Sequence, residues 1–162
     1  MKTIEHWIDG EYYTGNPTGR FGVEDPATGE IQAELLQASD ADLDHAVEVA
    51  TRAQREWAKA PLSKRVDVMF KMRQLVLDHQ DEMAKLIVAE HGKNYSDAVG
   101  EIQRGRETLD FACGINAALK GEHSVEISRG VDIHTLRQPV GVVAGICPFN
   151  FPTMVPMWMH PV

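Results

Sequence analysis

The sequence predicts an α/β protein on three observations. Short strand-like pieces punctuated by turn residues come before Ser39, four stretches with helical spacing of apolar residues follow, and Val140 to Ile146 is apolar on both faces. With 162 residues, 43% of them hydrophobic and 25% charged, the chain carries material for one core of ordinary size and not for two.

The elements follow in order. Ile8-Asp9-Gly10-Glu11-Tyr12-Tyr13 places Asp-Gly between apolar and aromatic residues, a hairpin signal because Gly accepts the positive φ of such a turn. Phe21 to Glu24 and Ile31 to Leu36 form a second hairpin around Asp25-Pro26-Ala27-Thr28-Gly29-Glu30, where Pro presets φ and Gly supplies the reversal. Ser39 is an N-cap, and Asp40, Asp42 and Asp44 suit the positive end of a helix dipole. Leu43, Ala46, Val47, Ala50, Ala53 and Trp57 give that helix its apolar face, and it stops before Pro61. A second helix is predicted from Leu62 to His79 and a third from Gln80 to Glu90, closed by Gly92. A fourth, from about Ser96 to Gly114, has apolar residues on more than one side and is expected to be buried on two faces. Ser124 to Ser128 and Val131 to Leu136 alternate around Arg129-Gly130 as an antiparallel pair. Val140 to Ile146 reads as a strand of a buried parallel sheet, emptying into a rigid turn before a helix that starts near Pro152 or Thr153.

Composition excludes several functions. The 16 Lys and Arg against 24 Asp and Glu leave a net charge of −8, and no basic stretch interleaved with aromatics occurs, so nucleic acid is not an expected partner. No apolar run reaches the roughly 20 residues of a spanning helix, and Met1 to His6 lacks the core of a signal peptide. A soluble, cytoplasmic protein without a membrane partner is expected. Cys113 and Cys147 fit neither a disulfide framework nor a metal knuckle, and the seven His residues form no i, i+4 pair, so no metal is expected. The chain stops directly after an apolar stretch, where a polar, frayed end is usual, and is therefore expected to be a piece of a longer protein.

The chemistry concentrates at Gly145-Ile146-Cys147-Pro148-Phe149-Asn150-Phe151-Pro152. Ligands gather at the carboxy ends of strands in open α/β sheets, where backbone donors and helix amino termini converge. Asn150, held between two prolines, presents an amide suited to an oxyanion; alternatively it caps the next helix. Cys147 has no neighbouring His or Lys to lower its pKa and is expected to pack, not to act as nucleophile; Cys113 reads as a small buried hydrophobe. Arg104 shares a helix face with Phe111 and is expected at a pocket, with a surface pairing to Glu101 or Thr108 as the alternative.

Pro139-Val140-Gly141-Val142-Val143, Pro148-Phe149-Asn150-Phe151-Pro152 and Glu90-His91-Gly92-Lys93-Asn94 together resemble the aldehyde dehydrogenase superfamily over essentially the whole chain. Phe149 where most relatives carry Trp, the Thr153 to Met159 segment, and Gly100-Glu101-Ile102-Gln103-Arg104-Gly105 look like its CoA-acylating methylmalonate- and malonate-semialdehyde dehydrogenase branch. The resemblance implies that Asn150 donates to the oxyanion, that Ile146, Cys147 and Phe149 line the nicotinamide side of NAD, and that Arg104 meets the substrate carboxylate. It also implies a cysteine thiolate attacking the semialdehyde, hydride transfer to NAD, and a thioester passed to CoA with loss of CO2, giving propionyl-CoA or acetyl-CoA. The nucleophile, the Glu base and the Gly-rich dinucleotide turn are expected beyond residue 162, leaving these residues inactive alone. Residues 1–122 and 139–162 are expected in an NAD-binding domain and 123–138 in an oligomerisation hairpin of a homo-oligomer. The alternatives are a fragment of a non-acylating semialdehyde dehydrogenase and a non-catalytic oligomerisation module.

Overall fold

The computed structural model describes residues 1–162 and is α/β. The first hairpin forms as expected: β2 (His6–Ile8) pairs antiparallel with β3 (Glu11–Tyr13) through Asp9 and Gly10, both at positive φ (57° and 83°), the primed turn that matches strand twist. In the second, β4 (Gly19–Glu24) pairs antiparallel with β5 (Ile31–Gln37), and the Asp25 carbonyl accepts from Thr28 and Gly29 to close the turn. Sequence reading missed β1 (Lys2–Ile4), which adds parallel to β5 and completes a sheet of order β1-β5-β4.

The helices fall close to their predicted bounds: α1 (Asp40–Trp57), α2 (Leu62–Asp78), α3 (Gln80–His91) and α4 (Tyr95–Cys113). Ser39 and Asp42 form a reciprocal capping box on α1. Gly92 ends α3 at φ 75°, where an added Cβ would also lie 2.8 Å from Pro26 Cγ of the β4–β5 turn. The α4 start lies one residue earlier than predicted because Asn94 caps it, accepting from the Asp97 amide.

One core serves the molecule. Only 16 residues are buried, and the main cluster, Val76, Ala84, Ile87, Ala98, Ile102, Leu109 and Met157, joins α2, α3, α4 and the short α5 (Met154–Met159). The buried residues of α4 recur at 98, 101, 102, 105, 109 and 112, a single stripe and not the two faces expected, because its neighbours all gather on that side. Gly105 lets α5 approach: a Cβ there would meet Met157 Cε at 2.8 Å and the Met154 Cα at 3.2 Å. The Trp158 indole N–H donates to the Arg104 carbonyl at 3.3 Å on the same contact. On α1, the expected apolar face is largely open, with Leu43, Val47 and Trp57 exposed, while Val49, outside that set, is the apolar residue the helix buries.

The expected core strand does not form. Val140 to Ile146 forms no strand, and Val140 is 90% exposed, because no other strand of residues 1–162 lies beside it and a strand requires a pairing partner. The 139–162 unit therefore contributes a turn and a helix but no core strand. The third hairpin does form, β6 (His123–Ser128) with β7 (Val131–His134), but every residue of both strands is exposed.

Asp42 is buried and ties the amino-terminal part together. It accepts from the Ser39 hydroxyl and amide, from the Asn16 amide and from the Tyr13 hydroxyl. The Ser39 hydroxyl and amide lower its pKa to about 2, helped by Asn16 and Tyr13 and opposed by burial. A carboxyl depressed on folding stabilises fully above its ordinary value of 3.8 and loses that contribution as pH falls through about 2. Thermal unfolding should thus show the wild type losing stability between about pH 4 and pH 2 more steeply than Asp42→Asn; identical slopes would contradict this. Along α4, Gly100→Ala, with open space around the new Cβ, is expected to stabilise by about 0.5–1 kcal/mol, whereas Gly105→Ala destabilises by displacing α5; urea unfolding of the pair distinguishes them.

Candidate active-site turn

A turn over Phe149–Thr153 leads into α5, and α4 holds it from beneath. Glu101, on the buried stripe of α4, is 0% exposed. One carboxylate oxygen accepts from the Thr153 and Met154 amides at 2.8 and 3.1 Å, satisfying two donors at the start of α5. The other accepts from Lys93 Nζ at 2.6 Å. Lys93 follows the left-handed Gly92, and its ammonium also donates to the Asn150 carbonyl at 3.0 Å and lies 4.3 Å from the Phe151 ring centre. Burial pushes the Glu101 carboxyl up, but the Lys93 ammonium and the two amides outweigh it and hold the group below its ordinary value.

This network places Asn150. Its backbone is fixed through Lys93, while its side chain is exposed and makes no hydrogen bond within the chain. The capping alternative is thereby excluded, since Glu101 takes the amides that Asn150 would have capped. The flanking prolines restrain the backbone of Asn150, whereas its amide stays free to turn.

The other expected residues are less gathered. Ile146 is 94% and Phe149 89% exposed. Cys147 is half-buried, its thiol 3.6 Å from Met159 Sδ, which agrees with a packing role. Cys113 is also half-buried; burial raises its thiol pKa, with Arg73 opposing and Asp110 adding. Arg104 is exposed, with no ion pair: the pocket position expected from its face is not found, and neither is the pairing with Glu101, whose carboxylate is occupied by Lys93. A cavity of about 790 Å³ opens beside the turn, lined by Phe149, Pro152 and Thr153 and by Met83, Ile87 and His91 of α3.

Sequence reading missed Lys93 and Glu101 as a unit, although both lie in segments it singled out. The available signal was a Glu at a core position of an amphipathic helix, which demands a partner. It also missed that strand pairing in the third hairpin brings His123, Asp132 and His134 together.

The family model described as "Aldehyde dehydrogenase family" matches residues 12–162. The malonate-semialdehyde dehydrogenase 2 of Oceanobacillus iheyensis is 42% identical over 161 residues, 99% of this chain and 33% of that protein. Among solved structures, the methylmalonate-semialdehyde dehydrogenase of Oceanimonas doudoroffii superposes with a TM-score of 0.94 at 46% identity, over 99% of this chain and 33% of its own. A NAD complex from Sinorhizobium meliloti, also described as a methylmalonate-semialdehyde dehydrogenase, gives 0.93 at 44% identity over 98% and 32%. The chain thus spans about a third of the length of these relatives. No helix is long and apolar enough to cross a membrane.

Breaking one side of the Lys93–Glu101 pair leaves the other charge poorly compensated. Glu101→Met is expected to cost about 3 kcal/mol in urea unfolding and to accelerate hydrogen exchange at Thr153 and Met154. Adding Lys93→Met should recover part of that loss; a double variant as unstable as the sum of both singles would refute the coupling.

Proposed function

Because the chain belongs to the aldehyde dehydrogenase family, we propose that it forms the amino-terminal third of an NAD-dependent, CoA-acylating methylmalonate- or malonate-semialdehyde dehydrogenase. The observation carrying this reading is the Asn150 turn: its backbone is anchored by a buried ion pair while its amide is exposed and free of partners within the chain. An amide so presented can donate to the oxyanion that develops as a nucleophile adds to the aldehyde carbon, and its anchored backbone limits the reorganisation required. Identities of 42–46% with malonate- and methylmalonate-semialdehyde dehydrogenases support the substrate class.

Residues 146–149 suit one end of NAD. From Val140 to Phe149 no backbone N–H or C=O is bonded within the chain, so Ile146, Cys147 and Phe149 can offer backbone groups and apolar surface to a nicotinamide ring. When bound, NAD supplies the hydride acceptor. Arg104, exposed and unpaired, offers a planar fork to the semialdehyde carboxylate. In the longer enzyme the acyl group passes to CoA with loss of CO2, giving acetyl-CoA or propionyl-CoA; Phe149 and Arg104 support this acylating branch over a non-acylating one. The exposed β6–β7 hairpin, within residues 123–138, has open edges suited to pairing between subunits of a homo-oligomer, while 1–122 and 139–162 belong to the NAD-binding domain.

In the full-length enzyme, Asn150→Ala is expected to lower kcat about 10²–10³-fold with little change in KM, and Arg104→Ala to raise KM for malonate semialdehyde. Residues 1–162 alone should form no NADH above buffer from malonate semialdehyde, NAD and CoA. A full kcat in Asn150→Ala, or NADH formation by the isolated chain, would overturn the assignment.

A further inference from the structure

The geometry points to a divalent transition-metal site on the third hairpin, formed by His123, His134 and Asp132. His123 and His134 are directly opposed partners of the antiparallel pair, so their side chains project from one face. Their rings stack with centroids 4.0 Å apart and planes 10° from parallel. Asp132 precedes His134 by two residues and shares that face. One nitrogen from each imidazole and one Asp132 oxygen lie within 4.8 Å of one another.

The third donor is already oriented. Asp132 Oδ1 accepts from the Glu126 amide at 2.9 Å, which leaves Oδ2 facing His123 Nε2 at 4.0 Å. Such a hydrogen bond to the far oxygen of a ligating carboxylate is the support that metal sites use to hold a ligand in place. Glu126 makes it from a left-handed conformation (φ 51°) at the irregularity between Ser124 and Ser128, so the hairpin departs from regular pairing where its amide turns toward the carboxylate. At the other end, the Thr135 amide donates to the Glu122 carbonyl at 2.8 Å and secures the strands beside the His pair.

Two imidazoles and one carboxylate suit Zn²⁺, Co²⁺, Ni²⁺ or Cu²⁺ over Ca²⁺ or Mg²⁺, which take oxygen ligands. Bonds of about 2.0–2.1 Å space tetrahedral donors roughly 3.4 Å apart; because an imidazole lone pair lies in its ring plane, the two parallel rings must turn out of their stack before both nitrogens meet one ion, and their exposure leaves them room to do so. Water fills the remaining positions, and the site is open to exchange.

Titration of the untagged 162-residue chain with Zn²⁺ in a calorimeter, and with Co²⁺ followed by its visible absorption, tests the site. One equivalent is expected to bind, with affinity at least tenfold weaker in His123→Ala and in His134→Ala, and also reduced in Asp132→Asn. Far-UV circular dichroism establishes that the variants retain the fold. Absence of binding by the wild type, or equal binding by a His123→Ala/His134→Ala double variant, would overturn the proposal.

Discussion

A carboxylate without any exposed surface governs how the last part of this chain is arranged. Glu101 lies on the core stripe of α4, where an unpaired charge would be severely destabilising, and each of its oxygens is satisfied from a different direction. Lys93 reaches it because Gly92 turns the chain through a left-handed conformation between α3 and α4. Thr153 and Met154 reach it because α5 docks through Gly105. The position of Asn150 is therefore a by-product of neutralising Glu101: the same ammonium that balances the carboxylate also grips the Asn150 carbonyl.

The helices were legible in the sequence because their signals are local. Ser39 with Asp42, Pro61 between α1 and α2, and Gly92 after α3 each act within one turn of the boundary they set. The three Gly-bearing hairpin turns were legible for the same reason. Strands are properties of pairs, and there the reading weakened. Lys2–Ile4 is too short to show a period and becomes β1 only through β5, while Val140 to Ile146 has strand composition without a neighbour.

For the candidate site the sequence pointed to the turn between two prolines, and the structure adds an anchor that the sequence reading missed. Pro148 and Pro152 suggested rigidity from covalent restraint, whereas the anchoring comes from Lys93, 57 residues from Asn150. Sequence reading placed Arg104 at a pocket from its helical spacing to Phe111, but both residues face outward, since the core stripe of α4 runs through Glu101 and Gly105. Periodicity locates a stripe only when the right residues are taken as its members, and a Glu within it misleads.

The spacing of the Glu101 network also bears on the order in which the chain can organise. Lys93 is only eight residues from Glu101, so their loop closes at small entropic cost, whereas Thr153 and Met154 lie 52 and 53 residues away. During synthesis the α2–α4 core and its ion pair can assemble while the later residues are still being added. The turn bearing Asn150 then meets a receptor whose charge is already balanced, with two acceptor positions waiting for the amides that begin α5.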